Sequence, residues 1–106
     1  MSKKSLDSQG DVGLIDKQKK KLEPPKKFKV IFHNDDYTPF EFVEALLVEI
    51  FHKSKVAARA IAKTIHESGK GVAGVYPKGI ADTKAQKVNA TSKGYGVPLL
   101  AEVEPE

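Results

Sequence analysis

The chain changes backbone periodicity across one short polar loop, and that change limits what it can fold into. Lys27-Phe28-Lys29-Val30-Ile31-Phe32-His33 alternates and is rich in β-branched and aromatic residues, the pattern of a strand. Asn34-Asp35-Asp36-Tyr37 follows; Asn and Asp favour turns because they bond nearby backbone and tolerate unusual angles. Thr38-Pro39-Phe40-Glu41 then carries a helix-start signature. Thr38 reads as the N-cap, Pro39 as the first helical residue and Glu41 as the far end of a Thr-x-x-Glu capping box. Beyond it Phe40, Val43, Leu46, Leu47, Ile50 and Phe51 recur at helical spacing as one apolar stripe.

The remaining elements follow from the same rules. A second helix is expected after Ser54, ending at Gly69 in a left-handed position, with Val56, Ala60, Ile61 and Ile65 facing inward. Gly71–Tyr76 reads as a strand closed by Pro77. Residues 80–93 read as a third helix, with Ile80, Ala81, Lys84, Ala85 and Val88 at helical spacing and Gly94 beyond its end. Val97–Val103 reads as a last strand. The order β-α-α-β-α-β predicts an α+β fold: a small three-stranded antiparallel sheet with three helices. Residues 1–26 hold few large apolar residues, a lysine run and Pro24-Pro25, and read as a flexible tail. Residues 27–106 read as the folded domain.

Composition narrows the function. A chain of 106 residues suits one domain with one core. It contains no cysteine, so disulfides and thiolate metal sites are excluded and a cytosolic setting is expected. No apolar run approaches the ~20 residues that span a bilayer, and the N-terminus lacks a signal-peptide apolar segment; the expected location is the cytoplasm, with no membrane partner. The formal net charge is +4, and all of it lies in residues 1–27. Residues 28–106 are balanced, whereas a domain that grips phosphates usually carries a basic face of its own, so nucleic acid is not an expected partner.

Several side chains could carry chemistry. Asn34, Asp35 and Asp36 present acceptors in a row beside the apolar face of the first helix, which suits a ligand with a positive charge and an apolar group. The plainer reading is a turn whose acids complement the helix dipole. His66, before Glu67-Ser68-Gly69, reads first as a dipole partner at a helix C-terminus. His33 reads as a strand-end residue and His52 as an exposed helix residue. Asp35, Asp36 and His66 could be imagined as a metal site for a small hydrolase, but no HExxH or Cys/His spacing supports one. No Cys nucleophile, G-x-S-x-G or Gly-rich phosphate loop is present. A nucleic-acid or ribosome-associated binder using the lysine tail is a third alternative.

Asn34-Asp35-Asp36-Tyr37-Thr38-Pro39, Glu41-Phe42-Val43, His66 with Gly69-Lys70, Gly74-Val75, Ala81-x-Thr83-Lys84 and Pro98-Leu99-Leu100 together resemble the ClpS family, adaptors of the ATP-dependent Clp protease. The resemblance runs from about Pro24 to about Val103. It implies a binding module rather than an enzyme, with no cofactor and no metal, acting as a monomer. Family members bind proteins whose first residue is destabilising (Leu, Phe, Tyr or Trp) and deliver them to the N-terminal domain of the ClpA unfoldase of the ClpAP protease. By match, Asn34, Asp36 and His66 would hold the ligand α-amino group, with Asp35 beside them. Phe32, Thr38, Phe40, Val43, Ala62, Ile65 and Leu99 would line the side-chain pocket, and Tyr37 and Lys84 would dock on the unfoldase. The tail would be engaged by the unfoldase during delivery. Three positions depart from the family. Phe40 and Ala62 stand where methionine is usual, which implies a reshaped pocket with a shifted or narrower preference. Gly79 lies where an acidic residue is often found near the docking face.

Overall fold

The computed structural model describes residues 26–106. The tail assigned to residues 1–26 therefore lies outside the described residues, Lys26 excepted. The elements are β1 (Lys27–His33), α1 (Phe40–Glu49), α2 (Lys55–Ser68), β2 (Lys70–Pro77), α3 (Lys78–Gly94) and β3 (Leu100–Pro105). The sheet is antiparallel with order β2-β1-β3. The predicted α+β class and element order are the observed ones.

β1 occupies the centre because alternate residues serve the core. Val30 and Phe32 are fully buried, while Lys29, Ile31 and His33 point to the other face. Opposite Val30 the register slips: Val30 pairs with Gly74 but Ile31 with Val72. Ala73 is the extra residue of this bulge, and it is buried. Helices cover the inner face. α1 packs on α2, α2 on β2, and α3 on β1 and β3. Phe32, Leu47, Ile65, Val30 and Val88 form the fully buried centre, and the Phe32 ring meets Phe51 edge-on at 5.5 Å.

Helix ends show where local rules win and where they lose. Ser54 caps α2, its Oγ accepting from the Ala57 N–H at 3.1 Å, and Gly69 closes it with φ +91°. α1 starts differently from the expectation. Pro39, extended at φ −64° and ψ 144°, occupies the cap position, and no side-chain cap bond forms. Thr38 is not the N-cap and Glu41 completes no capping box. The Thr38 hydroxyl lies one residue before the cap position held by Pro39 and donates to Asp35 Oδ2 at 2.7 Å. His52 is exposed but lies beyond α1 with φ +55°; the Lys53 N–H bonds back to the Leu47 carbonyl.

Burial corrects several inward assignments. On α2 the buried face is Ala58, Ala62 and Ile65; Val56 is 82% exposed and Ala60 is also exposed. The helical period admits either stripe, and contact with α1 and β2 selects this one. On α3, Ala81, Ala85, Val88 and Ser92 are buried, whereas Ile80 is 49% exposed. β3 begins at Leu100 rather than Val97. Val97 donates to the Ser92 carbonyl at the end of α3, and Pro98 has no N–H for a ladder. The Asn89 side chain ties α3 to β3 by a two-pronged bond: Nδ2 donates to the Ala101 carbonyl and Oδ1 accepts the Ala101 N–H, at 3.0 and 2.8 Å.

Candidate functional site

The C-terminal end of β1, the start of α1 and the last turns of α2 converge on one cleft of about 200 Å³. Asn34, Asp35, Asp36, Thr38, Phe40, Val43, Ala62, Ile65 and His66 line it. Nine of the residues singled out in the sequence thus share one hollow, polar on the loop and His66 side and apolar on the helix side. Phe32 and Leu99 are not among its lining residues; both are buried in the core.

The loop is shaped by its own hydrogen bonds. The Asn34 N–H donates to the Gly69 carbonyl at 2.9 Å, fastening β1 to the end of α2. Asp35 Oδ1 accepts the Tyr37 and Thr38 N–H groups at 2.8 and 2.7 Å, and Oδ2 accepts the Thr38 hydroxyl. Asp35 therefore acts mainly as a clamp on the loop. Asn34 and Asp36 are exposed at the mouth. The signal for the clamp was present in the sequence as Asp-x-x-Thr, a spacing that favours local side-chain turns.

Burial alone would raise the Asp35 pKa. The hydrogen bonds from the Thr38 hydroxyl and from the Thr38 and Tyr37 N–H groups outweigh it and hold the carboxyl below its ordinary value of 3.8. A group with a lowered folded pKa stabilises fully above its unfolded value and loses that contribution as pH falls through the folded one. Asp35→Ala is accordingly expected to lower stability at pH 7. The gap to the parent protein should close as pH drops below about 4. Urea denaturation of both proteins at pH 7 and pH 3 checks this; a gap unchanged by pH would refute it.

The apolar wall comes from both helices. Ala62 and Ile65 are buried on α2 and Val43 on α1, with Phe40 half-buried at the first helical position. Gly71 keeps Ile65 in place: a Cβ there would stand 2.7 Å from Ile65 Cγ1. A cavity of about 150 Å³ with apolar walls holds benzene, so this one suits a single aromatic or branched side chain. Among the described residues no three His, Asp or Glu side chains are grouped to hold a metal ion.

The two residues assigned to docking differ in kind. Tyr37 is 80% exposed. Lys84 is half-buried, and its Nζ donates to the Ile50 carbonyl at the end of α1. It also lies 5.7 Å and 5.2 Å from the Phe51 and Tyr76 ring centroids, a cation–π arrangement that fixes α3 against α1. Sequence reasoning missed the side-chain hydrogen bond between His33 Nε2 and Glu102 Oε1 at 2.9 Å. It also missed the groove between α1 and α3 lined by Phe42 and Tyr95. Both join residues far apart in the chain, and no local spacing announces them.

A small α+β domain whose described residues include a cleft pairing acceptors with an apolar floor has the shape and polarity to suit a compact amphiphilic ligand. The model of the ATP-dependent Clp protease adaptor protein ClpS matches residues 23–102, and the chain belongs to that family. The adapter protein ClpS of Oleidesulfovibrio alaskensis is 39% identical over 98% of each chain. That of Myxococcus xanthus is 48% identical over 83% of this chain and 82% of its own. The structure of Agrobacterium tumefaciens ClpS2 bound to L-phenylalaninamide is similar with a TM-score of 0.75 and 41% identity, covering 78% of this chain and all of that one.

Proposed function

We propose that this protein is an adaptor that binds the free N-terminus of proteins beginning with Leu, Phe, Tyr or Trp and delivers them to the ClpA unfoldase of the ClpAP protease. The cleft carries the proposal: Asn34, Asp36 and His66 accept from an α-ammonium at one end, while Phe40, Val43, Ala62 and Ile65 surround a side chain at the other. A free chain end has three ammonium donors and one first side chain. Charge-assisted hydrogen bonds to the ammonium exceed neutral ones, and burying a Leu or Phe side chain contributes roughly 1.5–3 kcal/mol. Neither part reaches the roughly −8 kcal/mol of micromolar affinity, so recognition requires both. The ligand named for the Agrobacterium relative, L-phenylalaninamide, has the same two groups: a free α-amine beside a benzyl side chain.

His66 accepts only as the neutral imidazole. Phe40 fills one side of the cleft and Ala62 opens another, so the ranking of first residues is expected to differ from that of relatives with methionine at both positions. The protein's proposed setting is the cytoplasm and its proposed state a monomer; among the described residues no helix is long and apolar enough to cross a membrane. Tyr37 and Lys84 are the proposed contacts with the unfoldase N-terminal domain.

Fluorescence anisotropy with labelled peptides tests the ligand reading. Peptides starting with free Phe or Leu are expected to bind at micromolar concentration or better, and the N-acetylated Phe peptide is expected not to bind. Equal binding of the acetylated peptide would remove the ammonium from the recognition. Degradation of a Phe-starting reporter by ClpA and ClpP, with and without this protein, tests delivery separately.

A further inference from the structure

The largest hollow among the described cavities belongs to another part of the molecule. It measures about 570 Å³ and lies between α1 and α3. Phe42, Ala45 and Glu49 line it from α1; Lys87, Thr91 and Tyr95 line it from α3 and the residue after it. Their spacings of three and four residues make two facing stripes. Tyr95 is 74% exposed, yet its ring lies 5.4 Å from that of Phe42. A second hollow of about 350 Å³ continues it, sharing Ala45 and Glu49 and adding Glu41, Glu44, Val48 and Lys55. Glu44 is paired with Arg59 at 3.2 Å, so the combined surface is an apolar trough whose acidic flank on α1 is Glu41 and Glu49. It shares no residue with the ligand cleft.

The sequence supplies one segment with the complementary pattern. Val12-Gly13-Leu14-Ile15-Asp16-Lys17-Gln18-Lys19-Lys20-Lys21 sets three apolar residues before four lysines. The whole formal charge of +4 lies in residues 1–27, and α1 exposes Glu41 and Glu49. The chain length is sufficient. Lys27 pairs with Pro77 beside the start of α3, and Thr91 lies about 20 Å further along that helix. The stretch from Ile15 to Lys26 spans up to about 36 Å when extended.

We propose that the groove between α1 and α3 is the docking site of the chain's own segment Val12–Lys21. The apolar residues Val12, Leu14 and Ile15 match the apolar trough in chemistry, and the lysines that follow them match the exposed Glu41 and Glu49 in charge. The docked state withholds the segment from any partner that must grip it. It is independent of the ligand reading, because the two sites share no residue.

The absence of cysteine makes the test direct. Gln18→Cys in the full chain takes a nitroxide label, and the amide signals of isotope-labelled protein are read by NMR. Ala45, Glu49 and Thr91 are expected to lose intensity, and Leu14→Asp with Ile15→Asp in the same chain to restore it. Losses confined to residues beside Lys26 and Glu106, or spread evenly over the surface, would overturn the proposal. So would losses at the groove that persist in the double variant. A mixture of nitroxide-bearing unlabelled chains with isotope-labelled chains lacking the nitroxide reads contacts between copies; groove losses in the mixture would assign the occupant to a second copy and also overturn it.

Discussion

Asp36→Asn is expected to weaken binding of a free-amine Phe peptide by roughly ten- to hundredfold, with the melting temperature unchanged. Hydrogen bonds to charged groups contribute about 1.5–3 kcal/mol, which converts to that range. Asp36 lines the cleft and is exposed, and no described residue hydrogen-bonds its carboxylate, so the fold does not depend on its charge. The neighbour behaves differently. Asp35 holds two N–H groups and one hydroxyl of its own loop, so Asp35→Ala lowers both stability and affinity. Anisotropy titration and thermal unfolding of the two variants separate a ligand contact from a positioning residue. An Asp36→Asn protein that binds within twofold of the parent would remove Asp36 from the ammonium site.

Phe32→Ala is expected to have the largest effect on stability. The side chain is fully buried and meets the Phe51 edge. Truncations of this kind cost about 3–5 kcal/mol. A domain of this size has about 4–12 kcal/mol in total, so the melting temperature should fall by about 12–40 °C. Phe32 does not line the cleft, so the fraction that remains folded at low temperature is expected to bind the Phe peptide with near-parental affinity. Phe32→Leu, which keeps most of the volume, makes the binding measurement accessible if the alanine variant unfolds. A loss of affinity in the leucine variant without a loss of stability would place Phe32 in the ligand site after all.

The elements were legible because each carries its own local signal: alternation in Lys27–His33, Ser54 and Gly69 at the two ends of α2, and the apolar stripe from Val43 to Phe51. The cleft was legible as a set of residues because the family motif strings most of them along one loop and one helix. What escaped was context beyond local spacing. Nothing in Thr-x-x-Glu says that an extended Pro39 takes the cap position and leaves Thr38 one residue outside it, donating to Asp35. Val56 and Ile80 had the right spacing for burial but faced away from any neighbour, since periodicity defines a stripe and not what covers it. Phe32 and Leu99 matched pocket positions; both are buried in the core and neither is among the residues that line the cleft.

The two-pronged bond between Asn89 and Ala101 has a consequence for association. In an antiparallel ladder alternate residues of an edge strand turn both backbone groups outward. On β3 those are Ala101, Val103 and Pro105. Asn89 occupies the pair at Ala101, and Pro105 has no N–H to offer, which leaves Val103 as the sole free donor on that side. A foreign strand laid there would find too little to bond. The molecule is thus barred on this side from lengthening its sheet, whether with a captured peptide or with another copy of itself.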